Sequence, residues 1–300
     1  HSLFAAGGVM DLLVRNGRVV DPARKIDAVT DVLIRGGKIR AVGKSDAAGI
    51  PVFDATGLIV APGFFDIHVH LREPGTEEAE TIASGGAAAV AGGFVAVAAM
   101  PNTKPPNDNP SITSYIISEA RRSSPALVVP VGAITKDQKG ATLAEIGEMI
   151  EAGAVAISDD GKPVMDGLLF RRALEYARMF DVPVIQHCED LNLSKGGVMH
   201  EGVYSARLGL KGIPSAAEDT IVSRDVILAQ LTGGKYHVAH LSTRRAVEMV
   251  RAAKAAGLRI TAEVTPHHFT LTDAAVAEYD TNAKMNPPLR SSDDVAALRE

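Results

Sequence analysis

Short apolar runs alternate with amphipathic helix-like stretches through residues 59–300. Near-continuous apolar runs are typical of parallel strands buried on both faces, and a period of about 3.6 residues is typical of the helices that cover them. A doubly wound sheet usually has about five or six strands, so the seven runs found here favour a (β/α)8 barrel of the TIM type. We expect the barrel to be cut before its eighth unit. The predicted strands are FDIHVH (65–70), FVAVAAM (94–100), ALVVPVGAIT (126–135), AVAISDDG (154–161), VPVIQHCED (182–190), KYHVAHLST (235–243) and LRITAEVTPHH (258–268).

Residues 10–58 show a different pattern, in which short alternating segments are separated by turn signals. Asn16-Gly17 and Gly36-Gly37 occupy positions where hairpin turns are expected. Because so few strands would not make a stable sandwich alone, we predict a small β domain that forms part of a composite β-sandwich. Residues 1–9 precede Met10 and are interpreted as a tag remnant or disordered leader, not as a signal peptide.

Composition excludes several classes of protein. The 300 residues are 46% hydrophobic and 22% charged, as in a large globular fold. A formal net charge of −5 gives no general attraction to nucleic acid or to an anionic membrane surface. No apolar run is long enough to predict a membrane span. The single cysteine, Cys188, excludes an internal disulfide framework and favours a cytoplasmic location.

Histidines and acidic residues end four of the predicted strands, all at the same rim of the barrel. His68 and His70 are two positions apart on an extended strand, so both can bind one metal ion. Four imidazoles and a carboxylate suit zinc first, with manganese or cobalt as replacements. So many ligands favour two ions about 3.5–4 Å apart. The candidate ligands are His68, His70, the acidic pair Asp159 and Asp160, His187 and His240.

Each of these residues also has a structural alternative. His187 and His240 could be hydrogen-bonded core histidines, and either Asp159 or Asp160 could serve only the turn that follows. His237 lies three residues before His240 on the same strand, so we expect it to face the opposite way and to be structural. The gathering of histidines at one rim favours the metal site over these alternatives.

Polar groups suited to an anionic substrate follow other strand ends. Arg72 comes directly after the histidine pair, and its fork of donors can bind a carboxylate. Asn102, in Met-Pro-Asn-Thr, offers an amide that both donates and accepts. The loop that contains Asn286 and Arg290 could bring a further amide and guanidinium. The alternatives are a surface salt bridge for Arg72 and a simple turn for Asn102.

Read together, these segments resemble the amidohydrolase superfamily, and more closely the class I dihydroorotases. HVHLREPG followed by MPNT is specific, because related hydantoinases and dihydropyrimidinases share the HxH strand but usually lack this arginine and MPNT. Many of those relatives have a carboxylated lysine at the end of strand four, whereas Lys162 here falls beyond the glycine, so Asp160 is the better bridging candidate. The matching segments are residues 62–75, 91–106, 157–166, 185–190, 237–243, 263–268 and 286–290.

The resemblance implies a zinc-dependent hydrolase of pyrimidine biosynthesis that interconverts N-carbamoyl-L-aspartate and L-dihydroorotate, with one or two Zn²⁺ per chain. The implied metal ligands are His68 and His70 for one ion, His187 and His240 for the other, and Asp160 between them. The implied substrate-binding residues are Arg72, Asn102 and Asn286. The family's proton shuttle is an aspartate that ends strand eight, and we expect it beyond Glu300.

Two alternatives stay open. The chain could be a dihydropyrimidinase, hydantoinase or allantoinase relative, although Arg72 and the MPNT sequence argue against this. It could instead be a catalytically silent partner of aspartate transcarbamoylase, although silent relatives would be expected to lose metal ligands. For partners we expect a small-molecule substrate, no nucleic acid, no membrane and a homodimer, with a complex with aspartate transcarbamoylase as the alternative.

Overall fold

The computed structural model describes residues 11–46 and 48–300. The chain divides into two compact units, His1–Phe64 and Phe65–Glu300. Residues 1–9, for which the sequence predicts a leader, lie outside the described residues. Among the helices of the described residues, none combines the length and apolar character needed to cross a bilayer.

In the described part of the first unit, five strands form one sheet: β1 (Leu12–Asp21), β2 (Ile26–Arg35), β3 (Lys38–Val42), β4 (Val52–Asp54) and β5 (Ile59–Val60). Their spatial order is β3-β2-β1-β4, and β5 also pairs with β1. β2 is antiparallel to both β1 and β3, whereas β4 and β5 run parallel to β1. This unit therefore has a mixed sheet, built around the long strand β1.

The hairpin turn predicted at Asn16-Gly17 is wrong, because both residues lie inside β1 at a bulge in its register with β2. The Asn16 backbone N–H donates to Asp31 Oδ1 at 3.0 Å, and a Cβ on Gly17 would lie 2.5 Å from Val60 Cγ2. Close packing in a bulge, and not a turn, therefore requires the glycine. The turn predicted at Gly36-Gly37 is confirmed between β2 and β3, with positive φ at both residues.

Further strands follow in the chain: β6 (Phe64–Val69), β7 (Phe94–Ala99), β8 (Leu127–Gly132), β9 (Ala156–Ser158), β10 (Pro183–Gln186), β11 (Met199–His200), β12 (Gly212–Ile213), β13 (Lys235–Val238) and β14 (Ile260–Ala262). Seven of them form a curled parallel sheet in the order β14-β13-β10-β9-β8-β7-β6, and β11 pairs with β12. Each predicted apolar run contains one strand of this sheet, in sequence order. The parallel α/β architecture predicted for this part of the chain is therefore confirmed.

Helices connect these strands: α1 (Ile82–Ala91), α2 (Pro110–Ser123), α3 (Ile146–Glu151), α4 (Gly167–Met179), α5 (Leu191–Ser194), α6 (Val203–Leu208), α7 (Ala216–Thr232), α8 (Arg244–Ala255) and α9 (Ser292–Arg299). Short 3-10 turns occur at Lys136–Gln138, Asp273–Val276 and Thr281–Ala283. Six of these helices begin where a polar side chain accepts a hydrogen bond from the first turn, which is the usual reason that a helix starts at such a residue. These N-cap residues are Thr81, Asn109, Asp166, Asp190, Thr243 and Ser291.

The two faces of the seven-stranded sheet are buried by different sets of side chains. On the outer face, the largest apolar cluster joins Phe170 and Leu174 of α4 to Tyr236 and Val238 of β13. On the opposite face is a smaller cluster, half of it alanine, which contains Ala98, Met100, Val131, Ala156, Ile185 and Ala239. Burial of both faces explains why these strands are almost continuously apolar in sequence. It also leaves the carboxyl ends of the strands as the place where polar side chains gather.

Candidate metal centre

All five predicted metal ligands lie at the carboxyl ends of strands in the second unit. His68 is the second-last residue of β6, and His70 directly follows that strand. Asp160, His187 and His240 come one or two residues after β9, β10 and β13, respectively. Because the strands are parallel, their carboxyl ends meet at one edge of the sheet. Side chains that are far apart in sequence are thereby brought into contact.

Asp160 lies at the centre of this group and is only 3% exposed. Its Oδ2 is 3.2 Å from His68 Nε2 and 3.3 Å from His70 Nε2. Its Oδ1 is 3.4 Å from His240 Nε2, and His240 Nε2 is 2.9 Å from His187 Nδ1. Two groups of side chains can therefore each hold a cation, and Asp160 belongs to both. Within each group the potential ligand atoms lie within 4.8 Å of one another.

The turn after β9 separates the two neighbouring aspartates. Asp159 points away from the histidines, and its carboxylate accepts hydrogen bonds from the backbone N–H groups of Ile134 and Thr135 at 2.8 and 3.0 Å. Gly161 follows with φ +82°, a left-handed conformation that glycine adopts without strain. Asp159 is therefore the aspartate that serves the loop structure, and Asp160 the one that faces the imidazoles.

Backbone strain is present at two positions beside the histidines. His240 has φ +35° and Arg72 has φ +60°, values that non-glycine residues rarely adopt. Such strain persists only where the surrounding structure imposes it, and it is concentrated at functional sites. Both residues lie within three positions of a strand end, Arg72 after β6 and His240 after β13.

In three of the four histidines, one ring nitrogen lies within hydrogen-bond distance of an oxygen on a side chain other than Asp160. His68 Nδ1 lies 2.5 Å from Glu263 Oε1, and His70 Nδ1 lies 2.8 Å from Asn102 Oδ1. His187 Nε2 lies 2.8 Å from Glu189 Oε2. Such contacts fix the ring orientation of metal-binding histidines.

Two of these acceptors, Glu189 and Glu263, were missed by the sequence analysis. A signal was available, because Glu263 directly follows β14 and Glu189 lies two residues after His187. The criterion that selected Asp160, an acidic residue at a strand end, selects both of them.

The charges in this cluster shift the pKa values of its members strongly. Burial alone would lower the pKa of His68, but the carboxylates of Asp160 and Glu263 raise it to about 10. Burial alone would raise the pKa of Asp160, but the imidazoles of His240 and His68 hold it well below its usual range. The pKa of His240 is lowered by burial and by the neighbouring His187. Negative charge at Asp160 is thus strongly favoured in this pocket.

The donor set fits a divalent cation. Asp160 Oδ1 and His240 Nδ1 are buried and have no hydrogen-bond partner among the described residues. A buried acceptor without a partner is costly, and a cation beside Asp160 would remove that cost. Imidazole nitrogens with a carboxylate are the ligands that zinc and related ions prefer.

The predicted substrate-binding residues Arg72, Asn102 and Asn286 differ in which of their hydrogen-bonding groups remain available for a ligand. Among the described residues, the Arg72 guanidinium has no hydrogen-bond or ion-pair partner, and its charge contributes, after burial, to a lowered pKa of His70. Asn102 Oδ1 is occupied by His70, which leaves its amide N–H groups. Asn286 Nδ2 donates to Glu189 Oε2 at 2.9 Å, which leaves its oxygen.

The expectation that Arg290 reaches the rim is wrong. Its side chain is 2% exposed, and its guanidinium donates to Ser242 Oγ at 3.0 Å and to the Ile213 carbonyl at 2.9 Å. The buried carboxylate of Glu218 lies 4.0 Å from Arg290 Nη2. The arginine is thus held inside the fold, where burial of its charge is compensated by these partners.

Comparison with known proteins agrees with this geometry. Among solved structures, L-hydantoinase (dihydropyrimidinase) from Arthrobacter aurescens matches with a TM-score of 0.82 at 20% identity, over 96% of this chain and 66% of that protein. D-Hydantoinase from Thermus sp. matches with a TM-score of 0.75 at 25% identity, over 96% of this chain and 65% of that protein. These likenesses show that the fold is shared with the hydantoinase barrels.

Sequence comparison is more specific. A curated protein named dihydroorotase from Solibacter usitatus is 60% identical over 94% of this chain and 66% of its own length. Another, from Syntrophotalea carbinolica, is 57% identical over 97% of this chain and 69% of its own length. This chain thus spans about two thirds of the length of these relatives. The family model described as dihydro-orotase-like matches residues 57–246. The chain therefore belongs to the dihydroorotase-like family, whose members are hydrolases of cyclic amides.

Proposed function

We propose that this chain carries the metal centre of a zinc-dependent dihydroorotase, which interconverts N-carbamoyl-L-aspartate and L-dihydroorotate. The observation that carries the proposal is the convergence of four imidazoles, from the ends of three strands, on one buried carboxylate at the end of a fourth. The names of the relatives support the choice of substrate. We also propose a cytoplasmic location, because the single cysteine is buried and unpaired.

The proposed centre has two halves that share Asp160. His68 and His70 would hold one ion, and His187 and His240 would hold the other. The four nitrogens and one carboxylate suit Zn²⁺, and Mn²⁺ or Co²⁺ could replace it. The chemistry that zinc supplies in such a centre is activation of water at neutral pH and polarisation of the amide carbonyl.

The substrate is proposed to be oriented by the groups left free around the histidines. The Arg72 guanidinium would bind the substrate carboxylate through two parallel hydrogen bonds. Asn102 would donate its amide N–H to the same carboxylate, since its oxygen is held by His70. Asn286 would accept from a substrate N–H, since its nitrogen is held by Glu189. These contacts would place the amide carbon over the centre and lower the entropy cost of reaction.

The experiment is a substrate comparison with the purified full-length protein. Ring opening of dihydroorotate, hydantoin, dihydrouracil and allantoin is measured at equal concentrations with added zinc. We expect dihydroorotate to be preferred by at least about 100-fold, because only it offers the ring carboxylate that a bidentate arginine would recognise. A preference for hydantoin or dihydrouracil would replace this function with that of the solved structural neighbours, which are hydantoinases.

Zinc content and turnover distinguish the proposed enzyme from a catalytically silent partner of aspartate transcarbamoylase. About two Zn²⁺ per chain with turnover of dihydroorotate would exclude it, whereas metal-free protein that co-elutes with the transferase would favour it. For assembly we propose a homodimer, which light scattering of the purified protein tests.

A further inference from the structure

Glu263 is a rigidly placed carboxylate directly behind His68. The residue follows β14, and its backbone is fixed on both sides: its N–H donates to the Val238 carbonyl at 3.1 Å, and its carbonyl accepts from the Leu241 N–H at 2.9 Å. Both partners are at the end of β13, on either side of His240. The Glu263 carboxylate is therefore held relative to the strand ends that carry the metal ligands.

The side chain of Glu263 contacts His68, which belongs to the candidate metal-binding groups, and approaches His237, which does not. Its Oε1 is 2.5 Å from His68 Nδ1, and its Oε2 is 3.7 Å from His237 Nε2. His237 is in turn fixed by a 2.8 Å contact between its Nδ1 and Thr261 Oγ1. The side chains of His68 and Glu263 are only 12% and 16% exposed, so little water competes for the contact.

The contact has a chemical consequence for His68. A neutral imidazole has one N–H and one lone pair, and an ionised carboxylate can only accept. When Nε2 binds a cation beside Asp160, the remaining ring proton is on Nδ1, where the Glu263 carboxylate accepts its hydrogen bond. The negative charge also increases the electron-donating strength of the Nε2 lone pair.

We propose that Glu263 is a positioning residue of the metal centre, which fixes the tautomer and ring orientation of His68 so that Nε2 can bind the cation. This inference rests on the proposed metal-binding function. It goes beyond it by assigning a residue that is not itself a ligand, and that acts on the half of the centre formed by His68 and His70. On the other side of Glu263 lies His237, whose Nε2 is 3.7 Å from Oε2.

The first test compares Glu263→Gln with a matched control. Glu119→Gln removes a carboxylate of similar exposure, 13%, that pairs with Arg122 on the surface of α2. Zinc affinity of the wild-type protein and both variants is measured by competition with a chromophoric chelator. We expect Glu263→Gln to weaken zinc binding by about 10- to 100-fold and Glu119→Gln to leave it unchanged. Equal affinity of Glu263→Gln and wild type would overturn the inference, whereas wild-type protein that binds no zinc would instead remove the proposed function.

The second test distinguishes positioning from general support of the fold. In the zinc-loaded protein, ¹⁵N NMR of the His68 ring should show the proton on Nδ1 in the wild type and a mixed or exchanging state in Glu263→Gln. The Gln substitution is also made in a His68→Ala background, where we expect no further loss of zinc affinity. If Glu263→Gln reduces zinc affinity by the same factor in both backgrounds, or if the ring spectrum is unchanged, Glu263 does not act through His68.

If Glu263→Gln does not fold, Glu263→Asp serves in its place. It keeps the charge and withdraws the carboxylate by one methylene, so we expect at least about a 10-fold loss of zinc affinity with little change in thermal stability. Affinity equal to that of the wild type would contradict the required geometry.

Discussion

A buried carboxylate near the candidate metal centre, Asp225 of α7, gives a quantitative prediction about stability. Its side chain is fully buried, with Oδ1 2.7 Å from Arg224 Nε and Oδ2 3.2 Å from Gln186 Nε2. Gln186 precedes His187 and accepts from the Val164 N–H at 3.3 Å, in the loop that follows Asp160. Asp225 thus lies under the two loops that carry candidate ligands.

The magnitude follows from the pKa of this group. Burial raises the pKa of Asp225 from 3.8 to about 6, even though Arg224 favours the charged form. A difference of about two pKa units corresponds to about 3 kcal/mol. Because the folded state holds the proton more tightly than the unfolded state, the free energy of unfolding falls as the pH rises from about 4 to about 6. Asp225→Asn cannot ionise, so this part of the pH dependence should disappear.

The assay is urea unfolding of wild type and Asp225→Asn between pH 4 and pH 7.5, with a chelator present so that metal binding does not contribute. The variant-minus-wild-type difference in the free energy of unfolding should rise by about 3 kcal/mol over this range. The control is Asp137→Asn. Because Lys139 lowers the pKa of that exposed carboxyl, the change in the variant-minus-wild-type free energy of unfolding with pH should be small and of opposite sign. Parallel pH curves for wild type and Asp225→Asn would refute the reasoning.

Three further predictions concern the candidate centre and the turn beside it. His187→Ala should lower zinc affinity and dihydroorotate turnover by at least about 100-fold, whereas His237→Ala should cost far less; equal losses in metal titrations would contradict the ligand assignment. Arg72→Lys should keep zinc bound but raise KM for dihydroorotate by about 10-fold, because an ammonium group cannot form the bidentate pair, and an unchanged KM would remove this residue from the site. Gly161→Ala should destabilise the fold by about 1 kcal/mol through its positive φ, since a Cβ there meets no atom nearer than 3.7 Å; thermal unfolding that matches the wild type would count against the left-handed turn.

The parallel sheet and the gathering of ligands could be predicted from sequence because both depend on simple periodicity. Apolar runs identify the strands, and parallel strands necessarily bring their carboxyl ends together. This is why His68 and His240 could be expected to meet although no local signal connects them. Residue patterns alone left Asp159 and Asp160 open, because both occupy the same turn. The family resemblance favoured Asp160, and the coordinates give the physical reason, since only the direction of each side chain separates their tasks.

Other features depended on contacts that no local pattern records. Asn16-Gly17 has the composition of a hairpin turn, but packing against Val60 makes it a bulge. The segment 142–153 has helical periodicity throughout, yet α3 covers only Ile146–Glu151, because Thr135 and Leu143 form an isolated β-bridge ahead of it. Arg290 has the sequence context of a rim residue, and only its buried partners show that it is structural.

The central claim is that four imidazoles from the ends of three strands share a cation site with Asp160, and anomalous diffraction at the zinc edge tests it most directly. Crystals of the zinc-loaded protein should show one peak about 2.0–2.2 Å from His68, His70 and Asp160, and a second at the same distance from Asp160, His187 and His240. A zinc peak bound by His68 and His70 while His187 and His240 coordinate nothing, or zinc bound away from all of these residues, would contradict the account.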